Sequence, residues 1–139
     1  MSGILFEVVT PEKRVVSEVV DEVVLPGSEG YLGVLPGHAP LLTRLGIGDL
    51  TYRLGRARRH LALAGGFAEV LPDRVIVLAD VAERPEGIDR DRAGKARDRA
   101  LERLWSKGAG TDFERAQASL QKALIRLQVA QHIGPDEVS

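Results

Sequence analysis

Five charged side chains in the C-terminal part of the chain stand where they could hold an anion: Asp89, Arg92, Arg99, Lys122 and Arg126. Folding the chain back about Gly108 sets Arg92 opposite residue 124, which brings its end of one helix near Lys122 and Arg126 on the next. Between Glu114 and Asp136 there is no acidic residue, so neither Lys122 nor Arg126 has an i,i+4 partner on its own helix. Cations converging in this way suit a phosphate, because a guanidinium offers forked donors to its oxygens. Asp89 or Glu83 could then accept from a ribose or an amino group. The competing reading is a solvated basic face loosely paired with Asp89 and Asp91, and spacing alone favours it.

Other chemistry finds little support. Gly27, Gly30 and Gly33 are spaced like a phosphate loop, but no Lys-Ser/Thr follows and the segment runs on into strand, so they read as turn glycines. His38, His60 and His132 fall in three separate segments with no carboxylate at ligand spacing, so no metal site is expected. Ser17, Ser28 and Thr43 lack an adjacent base, which leaves no nucleophilic triad and no catalytic residue. The absence of cysteine removes thiolate chemistry, disulfides and Cys-ligated metals together.

The composition bounds the rest. In 139 residues, 19 Lys and Arg balance 20 Asp and Glu, so no broad basic surface for nucleic acid is present. The N-terminus has no basic region followed by a long apolar stretch, and no segment is long and apolar enough for a membrane span. Membrane association is therefore expected only through a partner.

The elements that must position these side chains change character near residue 85. Residues 1–84 hold 10 of the 15 glycines and read as short strands at 4–9, 15–24, 34–35, 41–45, 49–54, 59–63, 67–71 and 74–78. Turns are expected at Thr10-Pro11, Pro26-Gly27, Pro36-Gly37, Gly46 to Gly48, Gly65-Gly66 and Pro72-Asp73. Both parities of 15–24 carry valine, which implies a strand buried on both faces or one that changes faces at a bulge. Close-set strands without helical period predict an antiparallel β-sandwich or flattened barrel over residues 1–84.

Residues 85–139 predict an antiparallel two-helix hairpin, which makes the chain α+β. The first helix, capped by Asp89, carries Ala93, Ala96, Ala100, Leu101 and Leu104 on one face and ends near Ser106. The turn at 106–110 is followed by the Thr111 to Glu114 spacing of a capping box. The second helix carries the stripe Phe113, Ala116, Leu120, Ala123, Leu127 and Ala130. An alanine-rich seam buries little area, so the hairpin is marginal and could exchange its packing partner cheaply. A helical hairpin fixed on the sheet as ordinary core is the plainer alternative. Trp105, near the end of the first helix, either packs on the sandwich or faces a partner, and core packing is the plainer of the two readings.

The run from Val24 to Thr43, Val-Leu-Pro-Gly-Ser-Glu-Gly-Tyr-Leu-Gly-Val-Leu-Pro-Gly-His-Ala-Pro-Leu-Leu-Thr, resembles the signature loop of the epsilon subunit of bacterial F-type ATP synthases. The likeness continues through Ala64 to Val70, Val77 to Asp80, Ile88-Asp89-x-x-Arg92-Ala93, Arg115-Ala116 and Arg126-Leu127-x-Val129-Ala130, and so covers nearly the whole chain. The resemblance implies a ten-stranded sandwich and a two-helix hairpin in a non-catalytic rotor subunit at the cytoplasmic face of the cell membrane. Its implied partners are the gamma subunit, the c-ring and the alpha/beta catalytic head. Glu29, Gly30 and Tyr31 lie in the loop that faces the ring by this resemblance. The hairpin is implied to alternate between a form folded on the sandwich and an extended form that blocks ATP hydrolysis.

No cofactor is implied, but some members bind ATP on the folded hairpin as a regulatory ligand. Carried over, the residues are Glu83, Ile88, Asp89, Arg92, Ala93, Arg99, Lys122 and Arg126. Lys122 stands where ATP-binding members carry arginine, which reduces a bidentate phosphate contact to a single-point one. No protein ligand for magnesium is evident. The runner-up is a stand-alone nucleotide-binding or nucleotide-processing protein built on the same cations.

Overall fold

A computed structural model describes residues 3–106 and 112–132, and the backbone of 137–138. Seven strands come first: β1 (Ile4–Val9), β2 (Arg14–Val20), β3 (Glu22–Gly27), β4 (Gly30–Val34), β5 (Leu41–Leu54), β6 (Ala57–Leu71) and β7 (Arg74–Glu83). A 3-10 turn at Pro85–Gly87 leads to α1 (Arg90–Trp105) and α2 (Phe113–Ala130), and a two-residue β8 (Glu137–Val138) pairs with the start of β6. The strand order is β2-β1-β7-β6-β5-β3-β4. Every pairing along it is antiparallel except that of β1 with β7.

The glycines expected to make turns at 46–48 and 65–66 lie inside β5 and β6, so four predicted strands are two long ones. Instead of ending the strands, they bend them. The β5–β6 ladder skips Gly46 and Gly65, and the β6–β7 ladder skips Gly65 and Asp80, so the break crosses three strands at one level. Gly65 and Gly66 hold φ of 77° and 126°, and a Cβ on Gly66 would lie 2.1 Å from the Leu78 carbonyl oxygen. On either side of this line the sheet forms two layers over one core. Phe6 of β1 meets Tyr52 of β5 with ring centres 5.1 Å apart, both fully buried.

The predicted strand at 15–24 is two strands divided at Asp21, which explains valines of both parities. Val16 and Val20 are buried before the break, and Val23 and Leu25 after it. Asp21 makes the corner by donating its backbone N–H to the Arg53 carbonyl and accepting from the Gly55 N–H at 2.6 Å. The short strand expected at 34–35 instead ends at Val34, and Leu35 is exposed. Burial pushes the Tyr52 phenol above its ordinary range, against the opposing charge of Arg84.

β6 is buried on both faces in its first half. Leu61 and Leu63 point into the sandwich core, while Ala62 joins Ile88, Val129, Ala130 and Ile125 in a second, smaller cluster. That second cluster is where the hairpin rests, and α2 makes the main contact with β5 and β6. Asp89 caps α1 through the Arg92 N–H at 3.0 Å, as predicted. The cap of α2 is Asp112, which accepts from the Arg115 N–H; Thr111, expected to do this, lies outside the described residues.

Ala93 and Ala100 on α1 and Ala116 and Ala123 on α2 are buried, so the alanine seam is present. Phe113 departs from the predicted stripe. It stands in the first turn of α2, beyond the part that lies on the sheet, and is half exposed. Trp105 does not pack on the sandwich: as the last residue of α1 it is 81% exposed.

Candidate functional site

A cleft of about 400 Å³ opens where the two helices meet the sheet. Its floor is Ala62, Ala64 and Val81, its walls carry Ala96, Ser119, Ala123 and Ile125, and its charged groups are Glu83, Arg92, Lys122 and Arg126. The convergence expected from folding the hairpin is therefore present. Arg92 comes from the first turns of α1, Lys122 and Arg126 lie one turn apart on α2, and Glu83 is the last residue of β7.

The electrostatics differ from the expectation in one respect. Arg126 has a partner on another element: its Nε and Nη2 donate to the two carboxylate oxygens of Glu83 at 2.8 and 3.1 Å. Both side chains are about three-quarters buried, so this bidentate pair ties α2 to the end of β7. Arg92 and Lys122 have no ion-pair partner among the described residues and are exposed. An anion in the cleft would meet these two cations directly, and would reach Arg126 only in competition with Glu83.

The other carried-over residues lie elsewhere. Ile88 is buried in the apolar cluster under α2, and Ala93 is fully buried in the seam, so neither side chain is presented to the cleft. Asp89 stays at the cap of α1. Arg99 is seven residues beyond Arg92 on the same helix face, about 10 Å further along the axis, which carries it past the cleft. Ser119 and Ala62 line the cleft without having been singled out, because their place depends on how α2 lies on the sheet.

Ser28 and Glu29 form the exposed β3–β4 turn, and Gly30, at φ 135°, opens β4. Tyr31 follows, 61% exposed, and its hydroxyl accepts from the Asp49 N–H at 3.1 Å. Gly48 clears the way: a Cβ there would lie 2.6 Å from the Tyr31 hydroxyl. On the opposite layer, Leu42, Phe67 and Leu78 are exposed on neighbouring strands, with the Arg44 guanidinium 5.8 Å from the Phe67 ring centre.

Two histidines that sequence spacing keeps apart are brought together. His60 on β6 stacks on His132, just past α2, with ring centres 3.6 Å apart and planes 3° from parallel. The His60 Nδ1 is 2.9 Å from an Asp49 carboxylate oxygen.

Residues 4–85 match the family model for the β-sandwich domain of the ATP synthase delta/epsilon chain, and residues 86–131 match the model for its long α-helix domain. The chain belongs to the ATP synthase delta/epsilon family. The ATP synthase epsilon chain of Syntrophobacter fumaroxidans is 53% identical over 128 residues, covering 92% of this chain and 96% of that one. The epsilon chain of Nitratidesulfovibrio vulgaris is 53% identical over 123 residues, covering 88% and 92%. A chain of the Euglena gracilis mitochondrial ATP synthase, solved with OSCP, F1 and the c-ring, shares the fold at a TM-score of 0.80 and 24% identity, covering 95% of this chain and 83% of that one. Epsilon-type members of this delta/epsilon family are structural subunits of the synthase, not catalytic ones. No described helix is long and apolar enough to cross a membrane.

Proposed function

We propose that this epsilon-type subunit is a regulatory part of the central-stalk rotor. Its sandwich docks on the gamma subunit and turns the Glu29–Tyr31 loop toward the c-ring, at the cytoplasmic face of the membrane. The hairpin leaves the sheet to restrain ATP hydrolysis in the alpha/beta head, and ATP in the cleft favours the folded form. The observation that carries this reading is the small size of the hairpin's seat among the described residues: a buried cluster of Ala62, Ile88, Val129 and Ala130 with Ile125 at its edge, the Glu83–Arg126 ion pair and the His60–His132 stack. The exposed Leu42, Phe67 and Leu78 offer the sandwich an apolar surface for a stalk partner. The exposed Arg92 and Lys122 offer phosphate oxygens two cations at the mouth of a cleft of nucleotide size.

The runner-up, a nucleotide-processing enzyme, lacks machinery at the same place. Among the described residues the one carboxylate lining the cleft is held by Arg126, and Ser119 has no histidine or free carboxylate beside it in the lining. Reconstitution of the catalytic head with and without the chain tests the main reading: gamma binding and slowed hydrolysis are expected, and failure to bind gamma overturns it. Calorimetric titration with ATP tests the ligand. Heat that is lost in Arg92→Ala is expected, and no heat at about 1 mM ATP refutes binding.

A further inference from the structure

The cluster of Asp49, His60 and His132 lies outside the cleft and is unused by the reading above. Asp49 and His60 are on adjacent antiparallel strands, two residues out of register with each other, and their side chains are almost entirely buried. His132 comes from a third element, held in the turn after α2 by its N–H to the Val129 carbonyl at 3.0 Å. Each residue offers one donor atom, and the three atoms lie within 4.8 Å of one another. A carboxylate oxygen with two imidazole nitrogens is a donor set for a borderline transition ion and not for magnesium or calcium, which take oxygen.

We propose that these three residues form a binding site for a divalent ion of the zinc type, which latches the end of α2 onto the sheet. Bonds of about 2.0–2.1 Å around a tetrahedral ion set donor atoms roughly 3.3 Å apart, and the in-plane lone pairs of parallel rings do not converge, so the ion replaces the stack: the His132 ring turns until its nitrogen and that of His60 face one point. Asp49 and His60 stand on paired strands and are held against each other by a hydrogen bond, and stacking keeps the His132 ring beside them. The fourth position is left to water or to an outside ligand. Two donors belong to the sandwich and one to the hairpin, so an ion that binds all three adds its binding free energy to the folded form alone.

The test uses the full-length, untagged chain, titrated calorimetrically with zinc and, as control, magnesium. One zinc per chain and no magnesium heat are expected. His132→Gln, in the turn after α2, and Asp49→Asn should each weaken zinc about tenfold or more, whereas His38→Gln should bind as the parent does. Cobalt should give the intense visible bands of a tetrahedral site. Zinc should also slow hydrogen exchange of α2 amides in the parent and not in His132→Gln. No zinc heat at about 1 mM, parental affinity in both site variants, or loss in His38→Gln alone overturns the site. Zinc binding that leaves α2 exchange unchanged overturns the latch.

Discussion

Val129→Ala measures how firmly the hairpin is seated. Val129 is fully buried in the small cluster with Ala62, Ile88 and Ala130, beneath α2 and apart from the sandwich core. The substitution removes two methyl groups, about 1.6 kcal/mol at roughly 0.8 kcal/mol each, and the residual cavity brings the loss to about 2 kcal/mol. With so few other residues in the cluster, the loss falls on the docking equilibrium, which should shift about 30-fold toward the undocked hairpin. Native-state hydrogen exchange read amide by amide checks this: α2 amides should exchange about 30-fold faster while those of β1, β6 and β7 stay at the parent rate. Equal acceleration of sheet and helix amides would mean that the hairpin and sandwich open as one unit. That result would refute the argument.

Gly66→Ala should lower stability by more than about 3 kcal/mol in thermal unfolding, because φ of 126° and contact with the Leu78 carbonyl leave no room for a Cβ. Trp105, the only tryptophan, should emit like indole in water and be quenched readily by acrylamide; a blue-shifted, protected spectrum would contradict its exposure. The raised phenol pKa of Tyr52 makes a contribution to stability that is complete below the ordinary phenol value, near 10, and lost as pH rises from there through the folded value. Denaturant melts across that window should show a decline that Tyr52→Phe lacks. Asp112→Ala should cost about 1 kcal/mol through loss of the α2 cap, seen in the same melts.

What could be read from residues was what depends on local period and short turns. The change from strand to helix near residue 85 follows from period, the Asp89 cap from the helix start, and the meeting of Arg92 with Lys122 and Arg126 from one hairpin reversal. Glycine was ambiguous for a physical reason. It permits a tight turn and a sharp bend within a strand equally, and only the neighbouring strand, here the Leu78 carbonyl against Gly66, decides between them. The Glu83–Arg126 pair, 43 residues apart, and the Asp49–His60–His132 cluster depend on how α2 lies across β5 and β6. No spacing along the chain encodes that. Phe113 and Trp105 fit apolar periodicity or size and yet stand at helix ends beyond the sheet, where periodicity no longer implies burial.

The single parallel pairing, β1 with β7, sets an order of events in time. Leu5 lies against Arg74 and Val9 against Leu78, so the first strand waits for the seventh before its layer can close. β1 and β2 can form a local hairpin early, but the chain that must then close to join them to β7 runs from Val20 to Arg74, an entropic barrier that slows nucleation. During synthesis on the ribosome β1 cannot pair with β7 before residues 74–78 have emerged. α2 emerges later still, so the strands on which it rests precede it.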